Sequence, residues 1–213
     1  MIENINVFYN DLPDGHLLKL LHDEHESIKN VMSELEMELD SLDNYSISDD
    51  AGSVIEKLKI LTANLLNAEP HHQREEDILF EAMEKSGISG PTSAMKTEHY
   101  GFRKYKNKLK MQIDNINNGE FKENKLRIRY TAIGLIGFIR GHIEKEENIL
   151  YPMAFQTLKE PELWRELSRG CTIFCVNDIL QVLIYTFFKN NGKVIHCCFP
   201  SSNCHRPLLT DIS

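Results

Sequence analysis

The sequence predicts an all-α protein, an up-down-up-down antiparallel four-helix bundle followed by a poorly defined C-terminal tail. Four long segments repeat apolar residues at steps of three and four, which is the period of an amphipathic helix. Turn-forming residues separate these segments, and the connections between them are short. Long amphipathic helices with short connections pack as antiparallel neighbours around one core.

Each of the four helices has its own sequence signals. The predicted helices cover about residues 15–42, 48–86, 90–118 and 124–158, and a short additional helix is predicted at residues 161–168. The third helix opens at Gly90-Pro91, where the first turn tolerates a proline because its N–H needs no partner. Pro70 lies inside the second helix, and the backbone hydrogen bond that it removes predicts a bend there.

The composition divides the chain into a four-helix domain at residues 1–170 and a tail at residues 171–213. The tail contains no glutamate and is rich in apolar and β-branched residues. Asn191-Gly192 between two such stretches favours a β-hairpin, with a disordered tail or a foreign extension as the alternatives. All five cysteines lie at or beyond Cys171, so the domain does not depend on disulfides. The sequence assigns no role to the tail.

Charge and hydropathy exclude two classes of partner. The net charge is −8, whereas nucleic-acid binding needs clustered lysine and arginine, so no nucleic-acid partner is expected. The longest apolar stretch, residues 179–188, is too short to cross a bilayer, so no membrane partner is expected. No signal peptide is visible at the N-terminus, and we expect a cytoplasmic protein. The sequence indicates neither a protein partner nor an oligomeric state.

Polar residues interrupt the apolar stripe of every predicted helix. They are His25, His72, Glu75, His99, His142 and Glu146, and His71 lies beside His72. A single histidine on an apolar face is usually a core residue with a hydrogen-bond partner. Five histidines and two glutamates are different, because burying so many polar groups without partners costs about 1–3 kcal/mol for each group. A shared metal site removes that cost, so these residues are the candidate metal ligands.

The spacing of these residues favours a single site. His71 and Glu75 are four residues apart, as are His142 and Glu146, so each pair lies on one face of its helix. A dinuclear centre needs a terminal histidine and a bridging carboxylate at about this separation. The tyrosines nearest in sequence, Tyr100, Tyr105 and Tyr151, are candidates for orienting the histidines.

These motifs resemble those of a known family. The stretches HHQREEDILF (residues 71–80) and HIEKEENILYPM (residues 142–153) are similar to the paired H-x-x-x-E motifs of hemerythrin-like, or HHE cation-binding, domains. DEH at residues 23–25 and TEH at residues 97–99 resemble the histidines of that family's first and third helices. The GISGP connection is similar to that of prokaryotic members, and the resemblance covers about residues 12–168.

The resemblance implies two iron ions in a non-haem centre with a hydroxo or oxo bridge. It implies five histidine ligands, His25, His71, His72, His99 and His142, and two bridging carboxylates, Glu75 and Glu146. Glu76 and Glu147 remain alternatives to these two bridges. Hemerythrins place a second histidine four residues after the first on the third helix, where this chain has Arg103. His72 is therefore the expected fifth histidine, and His22 is the alternative.

The ligand set predicts a binding or sensing protein with one open iron position. O₂, nitric oxide and peroxide are the small ligands that fit such a position. The alternative is a di-iron enzyme that reduces peroxide or nitric oxide, or that donates iron for the repair of iron–sulfur clusters. A third interpretation is an interaction bundle whose polar core holds zinc or no metal.

Overall fold

Helices follow the apolar periodicity of the sequence. The computed structural model describes residues 5–46 and 50–173, and every regular element in these ranges is a helix. The predicted all-α fold class is therefore confirmed for the described part of the chain. The elements are α1 (Ile5–Asp11), α2 (Leu17–Asp43), α3 (Gly52–Asn67), α4 (Glu69–Arg74), π1 (Glu75–Phe80), α5 (Glu81–Lys85), α6 (Gly90–Asp114), α7 (Phe121–Lys145), π2 (Glu146–Leu150), α8 (Tyr151–Thr157) and α9 (Pro161–Ile173).

The second predicted helix is a composite of α3, α4, π1 and α5. Helix α3 ends at Asn67, and Ala68 separates it from α4, whose first turn contains Pro70. The interruption has the cause expected from the sequence, because proline cannot donate the backbone hydrogen bond that would continue α3. The predicted start near residue 48 lies outside the described residues. Helix α3 itself begins at Gly52, and its capping residue Ala51 makes no side-chain hydrogen bond.

Two short π-helices, π1 and π2, were not predicted. The first begins at Glu75 and the second at Glu146, the two residues expected to bridge the metal ions. A π-turn accommodates one more residue than an α-turn, and the prediction assumed a regular α-helical period throughout each segment. Helix α7, π2 and α8 therefore form one continuous segment, as α4, π1 and α5 do.

Four long segments surround a common axis. Helix α2 packs against α3 and α7, and α6 packs against the same two helices. The ion pairs Glu36–Arg140 and Asp40–Arg129 link α2 to α7 at 2.6 Å and 2.8 Å. The partners on α7 run backwards along the chain as those on α2 run forwards, which is the pattern of antiparallel neighbours.

The apolar core consists of two clusters on either side of a polar layer. The larger cluster contains Leu35, Leu58, Leu109 and Leu135, and the smaller contains residues such as Leu21 and Phe80. On each long segment the buried histidines and glutamates lie between the residues of one cluster and those of the other. The polar layer is thus enclosed by apolar packing at both ends, which restricts the access of water to it.

Helices α1 and α9 cover the end of the bundle next to the smaller cluster. Helix α1 was not predicted, and its Tyr9 is buried. Helix α9 begins at Pro161 as expected but continues to Ile173, across the predicted domain boundary at residue 170. The predicted hairpin at Asn191-Gly192 lies outside the described residues. Among the helices of residues 5–46 and 50–173, none has the length and apolar character needed to span a bilayer.

His16 caps the N-terminus of α2. Its Nδ1 accepts a hydrogen bond from the backbone N–H of Leu18 at 3.2 Å, and its ring lies 4.6 Å from the indole of Trp164. An accepting nitrogen carries no proton, so this cap requires the neutral imidazole. Burial favours the same form, since it lowers the pKa of His16 from 6.5 to about 4.

Replacing His16 with asparagine should make the protein less sensitive to acid. A histidine whose pKa is lowered by folding contributes fully above its unfolded pKa of 6.5 and loses that contribution as the pH falls towards about 4. Asparagine retains a capping oxygen and does not titrate. Urea unfolding of both proteins at pH 7 and pH 5, without metal, should show His16→Asn gaining stability relative to the native chain at pH 5. Parallel pH profiles would contradict this account of the cap.

Candidate metal centre

Six buried side chains converge in the polar layer from all four long segments. They are His25 of α2, His71 of α4, Glu75 of π1, His99 of α6, His142 of α7 and Glu146 of π2. Each is at most 2% exposed. Every one of them was singled out from the sequence, and the helical period places side chains spaced by three or four on one face of their helix.

The six residues form two overlapping clusters. We define the first cluster as His25, His71, Glu75 and Glu146, and the second cluster as His99, His142, Glu75 and Glu146. Within each cluster, one nitrogen or oxygen atom from every residue lies within 4.8 Å of all the others. Glu146 reaches both clusters, with Oε1 2.9 Å from His142 Nε2 and Oε2 3.2 Å from His25 Nε2. Two cations held in these clusters would share both glutamates.

Carboxylate oxygens that face into the two clusters have no hydrogen-bond donor in the described part of the chain. Glu75 Oε2 and both carboxylate oxygens of Glu146 are buried without a hydrogen-bond partner in the described part of the chain. Burial, together with the charge of Glu146, raises the pKa of Glu75 well above its usual range. His99 Nε2 and His142 Nε2 lie only 2.9 Å apart. A metal cation placed between these side chains would accept the imidazole lone pairs and balance the carboxylate charges. The residues therefore fit metal cations.

A second layer of carboxylates surrounds the histidines. Glu24 lies 2.8 Å from Nδ1 of His71, Glu76 lies 2.7 Å from Nδ1 of His99, Glu98 lies 2.7 Å from Nδ1 of His142, and Glu147 lies 3.0 Å from Nδ1 of His25. The first three carboxylates each lie on the long segment that comes directly before the segment of the histidine they contact. Glu147 of the fourth segment contacts His25 of the first, so the four contacts close into a ring. We call these four glutamates the carboxylate ring.

The carboxylate ring determines which nitrogen of each histidine faces inward. A carboxylate only accepts hydrogen bonds, so Nδ1 carries the hydrogen and Nε2 keeps a free lone pair directed at the clusters. Each ring carboxylate also contacts a cation, which is Arg74 for Glu24, Arg103 for Glu76, Lys145 for Glu98 and Lys29 for Glu147. Burial alone would raise the pKa of Glu24, but His71 and Arg74 hold it below its usual value.

A family comparison agrees with this geometry. The Hemerythrin HHE cation binding domain matches residues 16–154, a range that contains both clusters and the whole carboxylate ring. The chain belongs to the hemerythrin HHE cation-binding family. Domains of this family bind metal cations, typically iron, and the His/Glu clusters of this hemerythrin domain are able to hold such ions. No curated protein matches the chain.

Two alternative bridges considered from the sequence occupy other positions in the hemerythrin domain. Glu76 and Glu147 direct their carboxylates at the outer nitrogens of His99 and His25, so they belong to the carboxylate ring. They lie in neither of the two clusters. The choice of Glu75 and Glu146 as bridges is still a prediction, and it is the choice that this geometry favours.

The fifth candidate histidine lies beside one of the two clusters. His72 lies in neither cluster, but its buried ring is 4.4 Å from that of His99 and 6.3 Å from that of His142, next to the second cluster. Its Nδ1 has no hydrogen-bond partner in the described part of the chain. Burial and the nearby Lys106 ammonium lower the pKa of His72 well below its usual value, so the ring is neutral. Its role as a ligand stays a prediction.

The alternative histidine, His22, lies away from both clusters. Its Nδ1 is 3.0 Å from Glu147 Oε1, and its ring stacks on Tyr9 with centroids 4.0 Å apart. His22 therefore contacts the outside of the carboxylate ring. Glu26 and Glu147 form a further group of possible ligands with His22, but Lys29 already contacts both of those carboxylates.

One of the three tyrosines considered from the sequence reaches the centre. Tyr151 is fully buried, its hydroxyl donates a hydrogen bond to Glu75 Oε1, and its ring stacks on that of His25 at 5.6 Å. Tyr100 and Tyr105 are 57% and 42% exposed and lie at the surface. Sequence spacing could not separate the three, because it carries no information on the local π-helix that directs Tyr151 inward.

Sequence reasoning missed Glu24, Glu98 and Arg74 as residues of this site. Both glutamates directly precede a ligand candidate, in the pairs Glu24-His25 and Glu98-His99. A carboxylate beside a histidine in a core stripe was the available signal. It was not interpretable from sequence because each glutamate contacts the histidine of another helix. Arg74 offered no signal beyond a charge within the HHQREE motif.

Proposed function

We propose that this hemerythrin domain binds two iron ions joined by a hydroxo or oxo bridge. In this proposal it takes up one small ligand, O₂, nitric oxide or peroxide, for storage, transport or sensing. The observation that carries the proposal is the pair of clusters that share Glu75 and Glu146, whose inner oxygens lack partners. Imidazole nitrogen and carboxylate oxygen together suit iron.

Each ion has its own histidines in this proposal. His25 and His71 hold one ion, His99 and His142 hold the other, His72 completes the second set, and Glu75 and Glu146 bridge the two. The carboxylate ring keeps every imidazole in the orientation that presents Nε2 to the centre. Iron bound by these residues would supply reversible coordination and one-electron chemistry.

The number of ligands leaves room for one small molecule. Two octahedral ions offer about twelve coordination positions. Five imidazoles, two bridging carboxylates and one bridging hydroxide fill about eleven of them. The set is also poor in anionic groups, whereas the di-iron carboxylate proteins of the ferritin type use more carboxylates. Fewer anions stabilise the ferrous state, which favours reversible binding over irreversible oxidation.

An optical titration of the oxidised, iron-loaded chain with azide tests this proposal. We expect two irons per chain and near-ultraviolet absorption that changes when azide enters the open position. A chain that holds zinc, one ion or no metal, or a spectrum that ignores azide, would contradict it.

Oxygen cycling separates a binding protein from an enzyme. Oxygenation of the reduced protein followed by removal of oxygen should restore the ferrous spectrum if the domain stores, carries or senses the ligand. Sustained turnover of peroxide or nitric oxide, abolished by His142→Ala, would instead assign the domain to the enzymes.

A further inference from the structure

A third group of metal-ligating side chains lies outside the two clusters. It consists of His22 and Glu26 of α2 and Glu147 of π2, and one nitrogen or oxygen atom from each lies within 4.8 Å of the other two. The described part of the chain contains three groups of this kind, and the other two are the buried clusters. We call the third group the outer site, because His22 is partly exposed and Glu26 is exposed.

The ammonium group of Lys29 occupies the place of a cation in the outer site. Its Nζ lies 2.8 Å from Glu26 Oε1 and 3.1 Å from both carboxylate oxygens of Glu147. The long, flexible side chain of lysine allows this ammonium to swing out into solvent. A divalent ion in its place would bring twice the positive charge. It would also accept a lone pair from His22, which an ammonium cannot do because all its hydrogen-bonding groups are donors.

The ligands of the outer site are held in place by contacts that do not involve Lys29. The ring of Tyr9 stacks on that of His22, with centroids 4.0 Å apart, and the Tyr9 hydroxyl donates a hydrogen bond to the backbone carbonyl of Glu147 at 3.0 Å. His22 and Glu26 are four residues apart, so both lie on one face of α2. One imidazole and two carboxylates, completed by water, suit divalent transition-metal ions such as Fe²⁺ and Mn²⁺.

The His25 ring lies between the outer site and the first cluster. Glu147 Oε1 is 3.0 Å from Nδ1 of His22 and 3.0 Å from Nδ1 of His25. On the other side of the His25 ring, Nε2 is 3.2 Å from Oε2 of Glu146. Two consecutive carboxylates of π2 therefore face the outer site and the first cluster, respectively.

We propose that His22, Glu26 and Glu147 form an outer binding site for a divalent transition-metal ion, and that an ion bound there moves on into the first cluster. Lys29 occupies the outer site in the absence of metal and is displaced when the ion arrives. The onward movement rests on the proposed di-iron function, whereas the outer site itself does not. Its place near solvent lets it capture an ion that still carries part of its water shell.

Mn²⁺ binding to metal-free Lys29→Met tests the outer site. Electron paramagnetic resonance counts the free ion and so gives the number and affinity of the bound ions. Methionine keeps the packing of the lysine side chain but removes the competing charge, so the outer site should bind Mn²⁺ about tenfold more tightly or better than in the native chain. Lys59→Met should bind Mn²⁺ as the native chain does. It is the matched control because Lys59 pairs with Glu56 three residues before it at 2.6 Å and is 39% exposed, while Lys29 pairs with Glu26 in the same way and is 34% exposed.

Removing a ligand from Lys29→Met decides whether the additional ion is bound by the outer site. Lys29→Met should bind one Mn²⁺ ion more than the double variant His22→Gln, Lys29→Met, however many ions the buried clusters take up. Glu26→Gln in place of His22→Gln should give the same loss, and Glu26 is 58% exposed, so this result does not depend on a tolerated change in a packed region. Equal Mn²⁺ binding by Lys29→Met and both double variants would overturn the outer site and leave the di-iron proposal standing.

The rate of iron uptake tests the onward movement. Fe²⁺ is mixed with metal-free protein in air, and the near-ultraviolet absorption of the oxidised centre is followed with time. Glu26→Gln should load several-fold more slowly than the native chain and reach the same final iron content, whereas Glu56→Gln should load at the native rate. Equal rates in Glu26→Gln and the native chain would overturn the onward movement. A native chain that never holds two irons would refute the di-iron proposal and the onward movement with it, while the Mn²⁺ measurement would still decide the outer site.

Discussion

Replacement of Glu146 by glutamine is expected to reduce the iron content of the purified domain from the proposed two ions per chain to one at most. Glu146 belongs to both clusters, and its two oxygens face different histidines, His142 and His25. The amide keeps the size of the side chain but removes the negative charge and one of the two acceptor oxygens. A single residue would thus be lost from both proposed ion positions at once.

Glu144→Gln is the matched control for this substitution. Glu144 lies two residues away on the same segment and is exposed, so the variant has the same change in charge without touching the polar layer. Iron content, measured by elemental analysis after loading under identical conditions, should match the native value in Glu144→Gln. Two irons per chain in Glu146→Gln would exclude Glu146 as a necessary bridge and would direct attention to Glu147.

Replacement of Arg74 by methionine should lower the free energy of unfolding by about 3–5 kcal/mol, as expected when one partner of a buried ion pair is removed. Arg74 is 2% exposed and donates a hydrogen bond to Glu24, which is 8% exposed. Without the guanidinium, the Glu24 carboxylate keeps the Nδ1–H of His71 but loses its buried cation. Urea unfolding of the metal-free proteins measures the difference.

Two further variants separate the buried charge from the loss of side-chain packing. Arg127→Met removes an exposed arginine that pairs with Glu123, and such surface pairs contribute only about 0–1 kcal/mol. The double variant Glu24→Gln, Arg74→Met removes both buried charges and should recover part of the stability lost in Arg74→Met. A double variant as unstable as the sum of its two single variants would show that the ion pair is not the cause.

The inner part of the site could be predicted because it follows from one-dimensional spacing. Residues such as His25 and His99 interrupt an apolar stripe, and the stripe alone decides that they are buried. His71 and Glu75 add a separation of four, which places both on one helical face. These signals are local, so they survive without knowledge of which helices are neighbours.

The outer part of the site could not be predicted because it depends on contacts between helices. Glu98 contacts His142, 44 residues away, and Glu24 contacts His71, 47 residues away. Which carboxylate faces which histidine depends on helix rotation and on side-chain rotamers, and the sequence pattern fixes neither. The π-helices escaped prediction for a different reason, since the periodicity analysis assumed a regular α-helix through each of the four segments.

The spacing of five between each shared glutamate and its aromatic neighbour makes the length of π1 and π2 a constraint on the chain. On a regular α-helix, residues five apart point about 140° away from each other, so Glu146 and Tyr151 could not both face the same point. Straightening π2 to α-geometry with the same number of residues would therefore turn the phenol away from its contacts with Glu75 and His25. Deleting one residue at the same time would leave a spacing of four, which returns the phenol to the face of Glu146. The place of the phenol beside the centre thus depends on the π-turn and the spacing of five together.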